Sequence, residues 1–141
     1  MYTLEEEIKR DEGYRGEVYL DPLGFPTCGW GHHLYVGSKI NETIAKEFLR
    51  MDIASAVNDF SRLPTRWRKK LDEARRRVII NMIFNMGLQK VLQFKKMWHA
   101  IEEENFEVAA AEMLDSRWSR QVKGRATRLA AQMKEGNNGT I

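Results

Sequence analysis

The first twelve residues carry apolar side chains at helical spacing. Leu4 and Ile8 are four residues apart, so they share one face of a helix. Thr3 is followed three residues later by a glutamate, which is the pattern of an N-terminal capping box, and Gly13 provides a stop. The pattern predicts a short helix over residues 3–12.

The pattern changes between residues 14 and 40, where glycines and prolines separate short runs of valine, tyrosine, threonine and tryptophan. Such β-prone runs between turn-forming residues predict a small antiparallel sheet of two or three strands. A sheet of this size is marginal alone and needs a helical partner.

Residues from 41 onward show helical periodicity. Asn41 is a good N-cap for a helix that ends before Pro64, and a second helix is predicted from about residue 72 to residue 86. The stretch Val78–Phe84 is apolar nearly all round, which is typical of a helix in the middle of a core. Shorter amphipathic helices are predicted over residues 93–103, 106–114 and 124–134.

These elements predict one α+β domain over residues 1–141. A small antiparallel β-sheet lobe, about residues 14–40, lies beside a mostly helical lobe formed by residues 1–13 and 41–135. Residues 136–141, at the end of the chain, are predicted to form a frayed tail. A cleft between the two lobes is where we expect a ligand.

Composition and charge narrow the class of protein. The chain is 43% hydrophobic and 30% charged, as in ordinary globular proteins, and its formal net charge of +3 favours polyanions without selecting one. The single cysteine, Cys28, rules out an internal disulfide. Since no apolar run approaches the roughly 20 residues of a membrane span, we expect no membrane insertion. Residues 1–10 carry three glutamates and no apolar stretch, so we expect no secretory leader and synthesis in the cytoplasm.

Glu12 stands where local electrostatics disfavour a carboxylate. It lies at the negative end of the predicted helix dipole, next to Asp11. Both effects favour a carboxyl that keeps its proton, as a general acid for sugar cleavage requires. Asp21 lies beyond the first predicted strand, where chain reversal could bring the two carboxyls within glycosidase range, although Asp before Pro22 is also an ordinary turn former.

Three motif blocks follow one another in the first quarter of the chain. They read Asp11-Glu12-Gly13-Tyr14-Arg15, then Val18-Tyr19-Leu20-Asp21, then Gly24-Phe25-Pro26-Thr27-Cys28-Gly29-Trp30-Gly31-His32. These blocks resemble the phage lysozyme family, whose pattern is an acid-Glu-Gly start, Tyr-x-Asp, and Gly-x-x-Thr-x-Gly-x-Gly-His. The resemblance continues at residues 75–87, 116–118 and 124–126, and so covers most of the chain.

The resemblance implies an endolysin that hydrolyses the bond from N-acetylmuramic acid to N-acetylglucosamine in bacterial peptidoglycan, for host cell lysis. Glu12 would protonate the leaving oxygen, while Asp21 and Thr27 would position and activate a water in an inverting reaction. Without the motif, Thr27 would be interpreted as a plain strand threonine. Neither a metal nor another cofactor is implied.

The resemblance also assigns residues to substrate binding. Gly31, Phe94, Ser116 and Arg117 are expected to bind substrate, although Phe94 also suits the core and Ser116 and Arg117 also suit solvent. Trp118 is expected in the core, with a partner for its indole N–H.

Three further residues are expected to support the site. Arg125 matches an arginine that reaches back to the acid helix, where it would pair with Asp11 or Glu12. His32 matches a histidine whose partner aspartate corresponds to Asp52.

Two positions depart from the family pattern. His33 stands where an apolar residue is common, and Trp30 is bulky for its place between two glycines. The segment 34–40 is shorter than in the T-even phage lysozymes. None of these departures affects the proposed catalytic residues.

The expected partner is bacterial peptidoglycan. A monomer is expected, with synthesis in the host cytoplasm, export that needs a holin, and action on the cell wall. Alternatives are a lytic transglycosylase and a non-catalytic glycan-binding or structural phage protein. A nucleic-acid binder is the weakest alternative, because the basic runs at residues 66–70 and 75–77 lack a nucleic-acid motif, so no specific nucleic acid is expected.

Overall fold

The computed structural model describes residues 1–138, and the chain divides into two compact units, Met1–Ala45 and Lys46–Ile141. The first unit contains helix α1 (Leu4–Glu12) and the strands β1 (Arg15–Leu20), β2 (Pro26–Gly29) and β3 (His32–His33). Helix α1 thus groups with the sheet, whereas the sequence places residues 1–13 with the helical lobe.

The predicted capping box begins α1. The Thr3 hydroxyl accepts a hydrogen bond from the Glu6 backbone N–H at 3.1 Å, and the Glu6 carboxylate accepts one from the Thr3 N–H at 2.8 Å. Gly13 ends the helix with φ of +72°, and its N–H donates to the Lys9 carbonyl. Both predicted ends of this helix are confirmed.

The three strands form an antiparallel sheet in the order β1-β2-β3. The register is irregular between Arg15 and Tyr19 of β1. Thr27 in the central strand lies opposite Tyr19 on one side and His33 on the other. The register therefore places Thr27 at the centre of the sheet, where it is 1% exposed.

Helix α2 (Glu42–Ser61) spans the boundary between the units and begins at Asn41, whose side-chain oxygen accepts from the Ile44 N–H. The remaining helices belong to the second unit. They are α3 (Thr65–Arg68), α4 (Glu73–Met86), α5 (Leu88–Leu92), α6 (Lys95–Glu102), α7 (Phe106–Leu114), α8 (Arg117–Val122) and α9 (Gly124–Glu135).

Helix α4 lies in the core of the second unit, as its apolar sequence predicts. Val78, Ile79 and Met82 are fully buried, in one cluster with Trp98 and residues of α7 and α9. Ile83 is buried as well, whereas Ile80 and Asn81 are half-buried and Phe84 is 42% exposed. The α+β class is confirmed.

The C-terminal tail differs from the prediction over residues 136–138, which form a 3-10 helix. The Asn137 side-chain oxygen accepts from the Ala74 N–H at 3.0 Å, and the Asn137 N–H donates to Asp72 at 3.1 Å. Contacts with the start of α4 hold this segment, so it is not frayed. The rest of the predicted tail, residues 139–141, lies outside the described residues.

Candidate active site

Glu12 is the last residue of α1, and its carboxyl lies directly against Gly31. A Cβ atom built on Gly31 would lie 2.7 Å from Glu12 Oε2 and 2.9 Å from its carboxyl carbon. Gly31 has φ of +74°, in the left-handed region that favours glycine. Gly31 therefore combines a conformation and a close approach that no other residue type allows without displacement.

Asp21 follows β1 and its carboxylate organises the turn to β2. Its Oδ1 accepts hydrogen bonds from the backbone N–H groups of Leu23 at 2.9 Å and Phe25 at 2.8 Å. Its Oδ2 lies 3.3 Å from Nε2 of His33, and the Asp21 side chain is only 14% exposed. Asp21 is thus both the turn former and a carboxylate held in one orientation.

The hydroxyl proton of Thr27 is already engaged in a hydrogen bond. Its Oγ1 donates to the Phe25 carbonyl at 2.8 Å. A hydroxyl has one proton and two lone pairs, so Thr27 is left able only to accept a further hydrogen bond.

Phe94, Ser116 and Arg117 line one cavity of about 750 Å³ in the second unit. Phe94 meets Trp118 edge-on, with ring centroids 6.2 Å apart, and the Trp118 indole N–H donates to Asn85 at 2.7 Å. The expected core position and indole partner of Trp118 are therefore confirmed. Ser116 also caps α8, because its hydroxyl oxygen accepts a hydrogen bond from the backbone N–H three residues further on, at residue 119.

Arg125 bonds within the second unit. Its Nε and Nη2 donate to Asn81 Oδ1 at 3.0 Å and 2.6 Å. This contact satisfies the side-chain oxygen of Asn81, a half-buried polar residue on the apolar helix α4. The pairing of Arg125 with Asp11 or Glu12 joins residues of different units and stays a prediction.

His32 and Asp52 are both exposed, His32 in β3 opposite Cys28 and Asp52 on α2. Their pairing likewise stays a prediction. The neighbouring His33 is the residue that sequence reasoning missed, since it contacts Asp21. The sequence feature that could have indicated this contact is the histidine at position 33, where an apolar residue is common in the phage lysozyme pattern.

Trp30 lies between Gly29 and Gly31 and is 45% exposed. Its ring centroid is 4.9 Å from that of Tyr14, and Lys9 Nζ lies 4.8 Å above the ring. Trp30 therefore contacts exposed side chains of its own unit.

Most of the basic residues in the two runs of the second unit pair with carboxylates. The ion pairs are Arg66–Glu102, Lys70–Glu104, Arg75–Asp72, Arg76–Glu73 and Arg77–Glu73. The Arg66 guanidinium, followed by the Trp67 indole N–H, holds the pKa of Glu102 below its usual range. These runs are therefore paired helix faces rather than a continuous cationic strip.

Within residues 1–138, no group of three or more histidine, cysteine or acidic side chains is arranged to hold a metal ion. In the same part of the chain, no helix combines the length and the hydrophobicity needed to span a bilayer.

The sequence profile of the Phage lysozyme family matches residues 9–134. This chain belongs to the phage lysozyme family. The match includes Glu12 at the end of α1, the sheet and most of the second unit. The chain is a glycoside hydrolase, a lysozyme-type peptidoglycan hydrolase.

The relatives differ in how much of their own length this chain matches. Probable T4-type lysozyme 1 of Dictyostelium discoideum is 30% identical, with 95% of each chain covered. The endolysin of Acyrthosiphon pisum secondary endosymbiont phage 1 is also 30% identical, over 90% of this chain and 85% of its own. The pre-baseplate central spike protein Gp5 of Enterobacteria phage T4 is 28% identical over 96% of this chain but only 28% of its own length.

Proposed function

We propose that this lysozyme cleaves the bond from N-acetylmuramic acid to N-acetylglucosamine by inverting hydrolysis, with Glu12 as the general acid. The observation that carries the proposal is the placement of two carboxyls in one small unit. Glu12 lies against Gly31, and Asp21 is held by two backbone N–H groups. An inverting glycosidase needs one carboxyl to protonate and one carboxylate to activate water.

In the proposed reaction, the Glu12 carboxyl donates its proton to the leaving glycosidic oxygen as the bond from that oxygen to the anomeric carbon breaks. A proton delivered in the transition state lowers the barrier for a poor leaving group. The backbone at Gly31 limits the positions open to the carboxyl, which keeps the acid aimed at one point.

Asp21 is proposed to remove the proton from the attacking water. Its Oδ1 already accepts two hydrogen bonds, so Oδ2 is the oxygen that meets the water. Thr27 is proposed to orient this water by accepting one of its hydrogen bonds, since the threonine proton is bonded to Phe25. The water oxygen attacks the anomeric carbon, and Glu12 ends as a carboxylate while Asp21 ends protonated.

The cavity lined by Phe94, Ser116 and Arg117 is proposed to bind the glycan strand. Aromatic side chains and a few fixed polar groups are the usual lining of such sites. Gly31 is proposed to contact the sugar beside Glu12.

The biological role proposed is host lysis by a monomeric endolysin. The protein is made in the host cytoplasm and reaches peptidoglycan after a holin opens the membrane. The relative named endolysin supports this role.

The test is digestion of purified peptidoglycan by the wild type, Glu12→Gln and Asp21→Asn, with Glu7→Gln as the matched control. Glu7 is an exposed glutamate on the same helix. We expect each site variant to lose about 100-fold or more in rate, the usual worth of a general acid or base, and the control to keep full rate. Full activity of Glu12→Gln would contradict the proposal.

The stereochemistry is tested separately on a soluble glycan fragment. Proton NMR of the fresh product should show the α anomer at the new reducing end, because inversion at a β bond produces it. A β product would contradict the inverting step, and a product without a reducing end would indicate a transglycosylase.

A further inference from the structure

His33 occupies the second oxygen of the Asp21 carboxylate. Oδ1 accepts the two backbone N–H groups, and Oδ2 lies 3.3 Å from His33 Nε2. With partners on both oxygens, the carboxylate cannot rotate about its terminal bond without losing a contact. The imidazole is therefore the group that completes the orientation of Asp21.

The sheet fixes His33 in this place. His33 lies opposite Thr27 across the β2–β3 ladder, so the strand register places it beside the turn that Asp21 organises. Its ring centroid is 6.1 Å from that of Phe25, at an interplanar angle of 33°. The ladder fixes the backbone of His33, and the Phe25 ring lies to one side of the imidazole, whose side chain is 56% exposed.

A donor at this position has a chemical consequence for Asp21. Each carboxylate oxygen has two lone-pair sites. If His33 Nε2–H engages one lone pair of Oδ2, only the other remains for a water on the substrate side. An apolar residue at position 33 could not make this selection.

We propose that His33 is a positioning residue that holds Oδ2 of Asp21 so that its remaining lone pair faces the attacking water. This proposal rests on the proposed function of Asp21. It adds a third residue to the Asp21–Thr27 pair: His33 fixes the carboxylate, and Thr27 accepts from the same water.

The kinetic test compares His33→Leu, which removes the donor, with His33→Gln, whose side-chain amide nitrogen reaches about as far as Nε2. His99→Leu, on helix α6, is the matched control. On a soluble glycan fragment, we expect His33→Leu to lower kcat about tenfold with little change in KM, because the base is misaligned but substrate contacts remain. We expect His33→Gln to recover most of the rate and His99→Leu to keep it.

Equal kcat values for His33→Leu and the wild type would overturn the proposal while leaving the proposed function intact. A loss of kcat in His33→Leu that His33→Gln does not recover would also overturn the proposal, since it would indicate a role of His33 in folding or packing. A wild type that produces no cleavage, in contrast, would overturn the proposed function itself.

The contact between His33 and Asp21 can also be tested by NMR, without measuring enzyme activity. Imidazole nitrogen chemical shifts of the folded protein should report a proton on Nε2 of His33. They should move in Asp21→Asn, while those of His99 stay constant. Unchanged His33 shifts in Asp21→Asn would refute the contact and the proposal with it.

Discussion

Replacement of Gly31 by alanine tests whether the Glu12 carboxyl must occupy its observed place. Alanine at this position has two separate effects. It forces a residue with a side chain into φ of +74°, and it places a methyl group 2.7 Å from Glu12 Oε2. The first effect acts on the stability of the fold, and the second acts on the position of the acid.

The structure allows the size of each effect to be worked out. Left-handed backbone in a non-glycine residue costs about 1–2 kcal/mol, which lowers Tm by roughly 3–8 °C in a domain of this size. Carbon–oxygen contacts of this kind relax to about 3.3 Å, so the carboxyl must retreat by roughly 0.6 Å. Since a displacement of ~1 Å can cost ~100-fold, we expect kcat to fall about tenfold or more.

Gly29→Ala is the matched control for this experiment. Gly29 also has a left-handed backbone, with φ of +62°, but a Cβ there would have no neighbour within 4 Å. Thermal unfolding should show similar losses for both variants, whereas hydrolysis of soluble glycan should fall much further in Gly31→Ala. Equal rates for the two alanine variants would refute the reasoning, because the position of the Glu12 carboxyl would then not matter for turnover.

Two further predictions concern the second unit. The pKa of Glu102 is held below its usual range chiefly by Arg66, so this carboxylate adds stability above its unfolded pKa of about 4.3 and loses it as the pH falls through the lower folded pKa. Urea unfolding should therefore show Glu102→Gln less stable than wild type at neutral pH and equal to it in strong acid; a constant difference would contradict this. Asn81→Ala removes the acceptor of the Arg125 guanidinium and should cost about 1–3 kcal/mol in the free energy of unfolding, whereas Asn81→Asp should keep most of it. An unchanged urea midpoint in Asn81→Ala would show that the bond contributes nothing.

Local sequence signals predicted the helix ends well. The capping box at Thr3, the stop at Gly13 and the cap at Asn41 each form the expected hydrogen bonds. Such signals work because donor and acceptor are only three or four residues apart. The central helix is equally predictable, since the burial of Val78 follows from an apolar run that only Asn81 interrupts.

Short helices were less accessible to sequence analysis. Helices α3, α5 and α8 have four to six residues, which is too few to show a hydrophobic period. The segment 136–138 is predicted to fray because it lies close to the C-terminal residue of the sequence. Its order comes from hydrogen bonds between Asn137 and residues near the start of α4, more than sixty positions away.

In the candidate site, too, the sequence predicts some features and misses others. The family motif indicates Glu12, Asp21 and Thr27, but the sequence does not reveal that the side chains of Asp21 and Thr27 already make hydrogen bonds to the turn between β1 and β2. The contact between His33 and Asp21 depends on the β2–β3 register and on the turn after β1. The bond of Arg125 to Asn81 joins side chains 44 positions apart, and no local pattern encodes that distance.

The most direct test of the central claim is mass spectrometry of the muropeptides that wild type and Glu12→Gln release from purified peptidoglycan. We expect the wild type to release fragments with reducing N-acetylmuramic acid ends, each heavier by one water than the anhydro form, and Glu12→Gln to release almost none. Anhydro ends from the wild type, or reducing ends formed equally well by Glu12→Gln, would contradict hydrolysis with Glu12 as its acid.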